Sequence, residues 1–562
     1  MHRSLVLLAA AAAFAQDPRE VRQPFWRTEV MGTNGMVAAE HPLEARAGLR
    51  VLERGGNAFD AAVAVFYMTG VVEQHQAGIG GDAFILAYLA REKRVIFING
   101  TGPAPKLATI ERYKQAGGIP SEGMLANTVP GAVGGFDLAL RKYGTRKYPE
   151  LMAEAIEAAA KGHPLTHWCA GNHEAAAKKI EPFPSSVRAL TKNGGTFEPG
   201  DLFTQPDLAR TYETIAREGA SAFYRGRIAR ATSAFYEKNG GLLRYEDLAA
   251  YQAEEGSPIR TGYKGFDVYQ SAPNSQGIVL LESLNILEPM DVKALGHNSP
   301  AYVHTLTEAL KLAFADRDRW IADPRFFTKI PTERLLSKSY AEERRKLIGG
   351  RAMPGPAPHG EPGETSSFSI ADRFGNLVSV THSVNGTFGS GVVVEGLGYV
   401  LNNRMPYFSL DPAHPNALVP GKRPRHTINP ALALKDGKPV MAWNTPGGDN
   451  QPQAMLQAFL NIVEFGMTPQ LAVEQPTFIT SNFHASNYPQ PAGDKLTLPG
   501  PMETIAAELR AKGHNVEITR MQRPYAQQPS GAGAVKLIWI DPVTRVMRGA
   551  VSPAKDDYAM GW

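Results

Sequence analysis

Three hydroxyl side chains in a row, Thr365, Ser366 and Ser367, lie where a Gly/Pro-rich segment meets an alternating strand pattern. A threonine hydroxyl is a weak nucleophile unless a base lies beside it, and one solution uses the α-amino group of the same threonine. That amine titrates at roughly 7.7–8.0 in model peptides, which suits proton transfer near neutral pH. The solution requires that the bond between Glu364 and Thr365 be cut. Because an internal threonine is more often an ordinary strand residue, the hypothesis needs support from other segments.

The segment before Thr365 is rich in turn-forming residues. Residues 349–363, "GGRAMPGPAPHGEPG", contain nine glycines or prolines among fifteen residues. Such a composition is typical of a flexible surface loop or of a linker between two domains. A plain linker is one interpretation. The other is a segment, extending to residue 364, that allows the following bond to be strained and its two halves to separate.

Two glycine-rich stretches are further candidates. "NTPGGDNQPQ" (444–453) leaves a predicted strand, and Gly447 and Gly448 could aim backbone N–H groups at one point, as an oxyanion hole requires. A tight turn explains the same pattern. "GIGGDAF" (78–84) lacks the spacing of a dinucleotide-binding fingerprint, so it indicates close backbone packing instead of phosphate binding.

The bulk composition excludes several classes of protein. The chain has 562 residues, 43% hydrophobic and 20% charged, with a net charge of +4 and no basic run, which argues against nucleic-acid binding. A single cysteine, Cys169, excludes an internal disulfide and a cysteine-cluster metal site. No HExxH, GxSxG or Walker pattern occurs, so we expect neither a metal nor a cofactor. Residues 316–319 are predicted to form a solvated or ion-paired helix face.

The first residues have the pattern of an export signal. His2 and Arg3 precede an apolar run, and Ala13-Phe14-Ala15 fits a small-x-small cleavage site. Residues 1–15 are therefore predicted as a signal peptide, and the mature chain as periplasmic or secreted and not held in a membrane. The longest other apolar stretch (58–72) contains Asp60 and is predicted as a buried helix.

Helical patterns and strand patterns occupy different parts of the chain. Helices are predicted at 41–57, from there to about residue 72, and at 150–161, 207–217 and 299–323. A helix followed by a strand is predicted at 501–519. Strands are predicted at 83–89 and 94–100, and hairpins at 366–384, 431–444 and 533–552. Since no regular βαβ alternation is present, the expected fold class is layered α+β, with helices packed on stacked antiparallel sheets.

These segments together resemble the γ-glutamyltransferase family, also called glutathione hydrolases, which are self-processing enzymes with an N-terminal threonine nucleophile. The stretches that carry the resemblance are "GGNAFDAAVA", "GIGGDAF", "NTVPGAVGGFDLALRKYG", "FYRGRIA", "NGGLLRYEDLAAY", "ETSSFSIADRFGNLVSVTHSVNGTFGSGVV", "GKRPRHTINPALALKDGKP" and "TPGGDNQPQ". The resemblance implies a four-layer αββα sandwich. It also implies cleavage into a large subunit (16–364) and a small subunit (365–562). The implied substrate of the processed enzyme is a small amide, and the implied acceptor is water or an amine.

The resemblance assigns roles to several positions. Thr365 is implied as the nucleophile, and Ser383 aligns where the family usually has a threonine that hydrogen-bonds it. Asn385 matches a substrate-binding asparagine. Gly447 and Gly448 match the oxyanion-hole pair.

Departures from the family pattern concern the substrate. Asn99 replaces an arginine that grips the α-carboxylate of a γ-glutamyl group, and Arg404 and Tyr407 in "NNRMPYF" replace groups that bind its ammonium. A serine pair becomes His426 and Thr427. An arginine suits a carboxylate in place of an ammonium. The sequence around these positions is similar to that of the family branch that includes oxamate amidohydrolase and glutathione-hydrolase-like proteins. Alternatives are an oxamate-type amidohydrolase, a cephalosporin-type acylase, and an unprocessed binding homologue without activity.

Overall fold

The computed structural model describes residues 27–355, 364–520 and 533–562. The predicted signal peptide (1–15) and residues 356–363 of the predicted linker lie outside these ranges. The α-helices are α1 Pro42–Glu53, α2 Ala58–Val72, α3 Ile110–Gln115, α4 Ala132–Tyr143, α5 Tyr148–Lys161, α6 His167–Ala175, α7 Ala177–Ile180, α8 Pro184–Leu190, α9 Pro206–Glu218, α10 Ala220–Tyr224, α11 Arg227–Lys238, α12 Tyr245–Ala249, α13 Ile278–Leu287, α14 Pro300–Trp320, α15 Thr332–Leu335, α16 Lys338–Arg345, α17 Gln451–Val463, α18 Pro469–Glu474 and α19 Ala506–Ala511.

The strands occur mostly in pairs or longer groups between groups of helices. They are β1 Val30–Gly32, β2 Gly35–Ala39, β3 Asp82–Leu89, β4 Arg94–Gly100, β5 His163–Pro164, β6 Leu202–Phe203, β7 Glu254–Gly256, β8 Ile259–Tyr263, β9 Phe266–Gln270, β10 Glu364–Asp372, β11 Leu377–Asn385, β12 Ala431–Lys435, β13 Lys438–Asn444, β14 Ile479–Thr480, β15 Lys495–Pro499, β16 Asn515–Thr519, β17 Lys536–Ile540, β18 Met547–Val551 and β19 Tyr558–Gly561. Short 3₁₀ helices are Met405–Tyr407, Gly448–Asn450 and Gly500–Ile505.

Two seven-stranded antiparallel sheets form the centre of the molecule. Sheet I has the strand order β19-β2-β10-β11-β3-β4-β7, and sheet II has the order β1-β18-β17-β13-β12-β9-β8. Side chains such as Phe84 and Leu86 of sheet I share one buried cluster with Leu432 and Ile538 of sheet II, so the two sheets pack face to face.

Helices cover the outer face of each sheet. The outer face of sheet I packs against α1, α2, α4 and α5, and that of sheet II against α13, α14 and α17. The layers are therefore helix, sheet, sheet, helix, which confirms the predicted α+β sandwich. Helix α2 is buried along its whole length, as its apolar sequence predicts. Among the described residues, no helix has the length and apolar character needed to cross a membrane.

The three predicted hairpins are present, and a glycine lies in the turn of two of them. Gly375 turns between β10 and β11 with φ +88°, and Gly437 turns between β12 and β13 with φ +72°. A left-handed φ is accessible to glycine without strain. The predicted helix from residue 501 is shorter than expected, since Gly500–Ile505 is a 3₁₀ helix and only Ala506–Ala511 is α-helical.

The start of β10 is irregular. Glu364 pairs with Asn385 and Ser366 pairs with His382, so the register shifts at Thr365. Ser383 and Val384 of β11 together lie opposite Thr365 alone, so the extra residue of this bulge belongs to β11. Strand β2 pairs only with residues 369–372 of β10, so the first residues of β10 extend beyond that neighbour.

Candidate active site

The Thr365 hydroxyl lies against two polar groups of the adjacent strand. Its Oγ1 donates to Ser383 Oγ at 3.3 Å, and the backbone N–H of Asn385 donates to the same Ser383 oxygen at 2.7 Å. Thr365 is 1% exposed in the uncut chain, and Ser383 is fully buried. Ser383 thus lies where the resemblance predicts a hydroxyl partner for the nucleophile.

Asn385 links this pair to a second group of side chains. Its φ of +83° lies in the left-handed region, which an asparagine tolerates better than most residues. The side-chain Nδ2 donates to the Asn403 carbonyl at 2.9 Å. Its Oδ1 accepts bonds from Tyr407 OH at 2.7 Å and from Arg404 Nη1 at 3.2 Å. Strand β11 therefore ends in an amide that holds Arg404 and Tyr407, two of the residues that depart from the family pattern.

Arg404 is a fully buried cation next to a buried carboxylate. Its Nη1 also donates to Tyr407 OH at 2.8 Å, and its Nε lies 3.7 Å from Asp82 Oδ2. Within the described part of the chain, Arg404 Nη2 and Asp82 Oδ2 have no hydrogen-bond partner. Burial raises the pKa of Asp82 to about 7, although the Arg404 charge acts in the opposite direction. The guanidinium is thus incompletely neutralised and retains donor capacity.

Tyr407 connects Arg404 to the next pair of predicted residues. Its OH lies 2.8 Å from Thr427 Oγ1, and burial raises the pKa of this phenol, so it stays protonated. The His426 ring lies edge-on to Tyr407, with centroids 5.9 Å apart. Burial, followed by the charges of Arg404 and Arg423, holds the pKa of His426 well below its usual range, so the imidazole is neutral.

Asn99 lies at the margin of this group and contacts other residues. Its Nδ2 donates to Asn274 Oδ1 at 2.9 Å, and its Oδ1 accepts from Thr101 Oγ1 at 2.6 Å. The Asn274 carbonyl in turn accepts the backbone N–H of His426 at 2.8 Å. Asn99 therefore supports the backbone beside His426.

Gly447 and Gly448 form a left-handed turn directly after β13. Their φ values are +115° and +58°. The Gln276 side chain donates to the carbonyl of Gly448 at 3.1 Å and to that of Thr427 at 2.8 Å. Arg317 Nη1 donates to Gln276 Oε1 at 2.9 Å. A continuous series of contacts thus runs from Thr365 through Asn385 and Tyr407 to this glycine turn.

Comparison with known proteins identifies the family. Residues 45–562 match the family model described as gamma-glutamyltranspeptidase. The chain belongs to the γ-glutamyltranspeptidase family. It is therefore an enzyme of the glutathione hydrolase and γ-glutamyltransferase type, and the predicted family membership is confirmed.

Relatives in the γ-glutamyltranspeptidase family have different names at similar identity. The "Glutathione hydrolase-like YwrD proenzyme" of Bacillus subtilis (strain 168) is 36% identical over 95% of this chain and 99% of its own length. The "Oxamate amidohydrolase proenzyme" of Klebsiella pneumoniae subsp. pneumoniae is 33% identical over 95% and 99%. A solved cephalosporin acylase from Bacillus halodurans is 35% identical with a TM-score of 0.88 over 97% and 99%. Overall identity thus does not decide the substrate.

Two charged residues of this γ-glutamyltranspeptidase-family site were not singled out from the sequence. Asp82 begins β3 directly after the glycines of "GIGGDAF", and its Oδ1 accepts the Gly102 N–H at 2.7 Å. A Cβ on Gly80 would lie 1.9 Å from the Val400 carbonyl oxygen, and one on Gly81 would lie 2.4 Å from that of Ser383. The predicted close backbone packing is confirmed. The acidic residue directly after the glycines was the sequence signal that could have pointed to Asp82.

Arg317 is the second of these residues. The prediction of a solvated helix face is wrong at this position, because Arg317 is fully buried. The alternative of an ion-paired face is confirmed, since Arg317 Nη1 contacts Asp449 Oδ1 at 2.6 Å. The guanidinium also stacks on Phe314 and Phe483 at 4.6 and 5.2 Å from the ring centroids. Helix α14 therefore anchors the residue that follows the glycine turn.

Proposed function

We propose that the chain cuts its own bond between Glu364 and Thr365, and that Thr365 then acts as the nucleophile of an amidohydrolase and acyltransferase. The large subunit would be 16–364 and the small subunit 365–562. The observation that carries this proposal is the Thr365 hydroxyl in contact with Ser383 Oγ at 3.3 Å, where the register between β10 and β11 shifts. The names of the two "proenzyme" relatives support it.

Cleavage begins with the peptide bond still intact. Thr365 Oγ1 attacks the Glu364 carbonyl carbon, the C–N bond breaks, and the hydroxyl proton passes to the departing nitrogen. The product is an ester between Glu364 and the Thr365 oxygen. Water opens this ester, which leaves a new carboxylate on Glu364 and a free α-amine on Thr365.

Turnover uses the new amine as the base. It accepts the hydroxyl proton as Thr365 Oγ1 attacks the substrate amide, and the leaving amine takes a proton as the C–N bond breaks. Backbone N–H groups of the turn at Gly447 and Gly448 stabilise the developing oxyanion. Water or an amine then attacks the acyl ester and restores Thr365.

The substrate is a small amide with a carboxylate close to the scissile carbonyl. Arg404 has an unpartnered Nη2, is incompletely neutralised by Asp82, and is held through Asn385 near Thr365. An ammonium at this place would be repelled, whereas a carboxylate gains charge-assisted hydrogen bonds. Tyr407, His426 and Thr427 would line the same part of the substrate site as Arg404. The structure of a cephalosporin acylase and the oxamate amidohydrolase relative support an acyl group other than γ-glutamyl.

A denaturing gel tests the self-cleavage. Purified tag-free protein should give two bands, and the sequence of the smaller fragment should begin at Thr365. Thr365→Ala should give one full-length band. Ser366→Ala is the matched control, because it removes a neighbouring buried hydroxyl and should leave cleavage intact. A wild-type chain that stays in one piece and hydrolyses no amide would favour the binding homologue without activity.

Turnover of an amide panel tests the substrate class. Oxamate-like and other amides with a nearby carboxylate should be hydrolysed faster than their methyl esters and faster than γ-glutamyl anilides. Thr365→Ala serves as the blank. Efficient transfer from a γ-glutamyl donor to a dipeptide would contradict the role proposed for Arg404.

The proposed location of the enzyme is the periplasm or the medium. The charge and apolar pattern of residues 1–15 supports export, with the mature chain starting at Gln16. N-terminal sequencing of the large subunit from the producing cells tests this, since an uncut Met1 on cytoplasmic protein would contradict it.

A further inference from the structure

Three potential metal ligands meet in the outer helix layer of sheet II. His304 and Glu308 are one turn apart on α14, and His514 directly precedes β16. All three are buried, and one ligand atom from each lies within 4.8 Å of the other two. Residues at i and i+4 share a helix face, so α14 presents its two ligands on the same side.

A backbone carbonyl orients the His304 imidazole. His304 Nε2 lies 2.8 Å from the carbonyl oxygen of Gly349, which can accept only, so this nitrogen carries the proton. His304 Nδ1 is therefore unprotonated, and its lone pair accepts the N–H of His514 Nε2 at 2.8 Å. A histidine that gives its second N–H to a backbone carbonyl is the usual arrangement around bound metals.

Glu308 supplies an anionic oxygen and keeps its present partners. Its Oε1 contacts Lys311 Nζ at 2.9 Å, and its Oε2 accepts the Met353 N–H at 2.7 Å. An ionised carboxylate has about four lone-pair positions, so a further bond to a cation is available. The Lys311 charge weakens that bond by repulsion.

We propose that His304, Glu308 and His514 bind one divalent first-row metal ion, with Zn²⁺ as the reference ion and water in the fourth position. Two neutral imidazoles and one carboxylate form a donor set that this class of ion prefers. The ion would lie to one side of the line that joins His304 Nδ1 and His514 Nε2, because these atoms are 2.8 Å apart and each Zn–N bond is about 2.0–2.1 Å. The proton now on His514 Nε2 would move to its Nδ1 through solvent, so binding releases no net proton.

The position of the site gives the ion a structural role. The peptide segment that contacts the cluster precedes Glu364 and is also bonded to the part of the chain after Thr365, since the Ala352 N–H donates to the Lys512 carbonyl at 2.8 Å. Two ligands come from the proposed large subunit and one, His514, from the proposed small subunit. If the self-cleavage proposed above occurs, the ion joins the two subunits and holds residues 349–353 in place.

Metal titration of the full chain tests the site independently of activity. Tag-free protein is stripped with a chelator and titrated with Zn²⁺ against a chromophoric competitor, and with Co²⁺ to record visible absorption. We expect one ion per chain. His304→Ala and His514→Ala should each weaken Zn²⁺ affinity at least about tenfold. His297→Ala is the matched control, because this half-buried histidine bonds Asn461 at 3.0 Å just before the same helix.

A second variant keeps the test decisive if the histidine variants fold poorly. Lys311→Met removes the competing charge and should strengthen Zn²⁺ binding at least about tenfold, with a larger rise of Tm on adding Zn²⁺. No bound ion, an affinity unchanged in His304→Ala, or an unchanged affinity in Lys311→Met would each overturn the proposal. Binding by the uncleaved Thr365→Ala chain separates this result from any failure of self-cleavage.

Discussion

Replacing Ser383 by alanine removes the hydroxyl that lies between the Thr365 hydroxyl and the backbone of Asn385. The Ser383–Thr365 contact, at 3.3 Å, is longer than an ordinary hydroxyl bond, whereas the bond from Asn385 N–H, at 2.7 Å, is short. The variant therefore loses one orienting contact to the nucleophile and leaves one buried N–H without this acceptor.

Both losses have a predictable size. An unsatisfied buried N–H costs about 1–3 kcal/mol, so we expect the free energy of unfolding of the uncut chain to fall by this amount. If the same bonds also orient Thr365 in the transition state, the self-cleavage rate falls about 5- to 150-fold.

The cleavage assay follows the fraction of cut chain on a denaturing gel over time. Stability is measured by urea unfolding of chains that also carry Thr365→Ala and therefore stay uncut. Ser379→Ala is the matched control, because Ser379 lies on the same strand and its Oγ donates to the Trp443 carbonyl at 3.1 Å instead. It should lose stability without slowing cleavage. Ser383→Thr restores the hydroxyl and should recover most of the rate. If Ser383→Ala cleaves at the wild-type rate, the reasoning is wrong.

Three further predictions concern the substrate site. Arg404→Met should raise KM for an acidic amide about 10- to 150-fold, the cost of a charged hydrogen bond, and should leave KM for a neutral amide unchanged. Gly447→Ala places a side chain at φ +115°. Backbone strain of about 1–3 kcal/mol should distort the turn, so kcat should fall and KM should change less. The pKa of Asp82, about 7 in the folded chain, is raised, so its protonated form favours folding. This contribution to the free energy of unfolding is about 4 kcal/mol at most. It is fully present below about pH 4 and is lost as the pH rises to about 7.

Matched measurements decide these three predictions. For Arg404, an equal rise of KM for both amides would refute a carboxylate contact. For Gly447, the control is Gly437→Ala, which has φ +72° in the turn between β12 and β13 and should lose stability at unchanged kcat. For Asp82, thermal unfolding of the wild type and of Asp82→Asn is compared from pH 4 to 8. The stability of the wild type relative to the variant should decline over that range, and a constant difference would contradict the raised pKa.

The sequence predicted the local features of the site well. Alternating strand patterns located the β10–β11 hairpin, and the same reasoning located β12–β13. The glycines of "GIGGDAF" indicated close backbone packing, which the Cβ distances at Gly80 and Gly81 confirm. Such features depend on residues within a few positions of one another, so periodicity and turn composition report them directly. The boundary of α19 was less accurate, because a 3₁₀ turn and an α-helix share the same pattern.

The sequence by itself determined the strand that carries Thr365, the hydroxyl partner Ser383 and the membership of the γ-glutamyltranspeptidase family. Only the tertiary structure decided that Arg404 lies against Asp82, that Arg317 is buried beside Asp449, and that the β10–β11 register shifts at Thr365. The reason is that a charged residue has the same local sequence signature whether it faces solvent or a buried partner. Its partner is brought to it only when distant segments pack together, and here that packing decides the charges around Thr365.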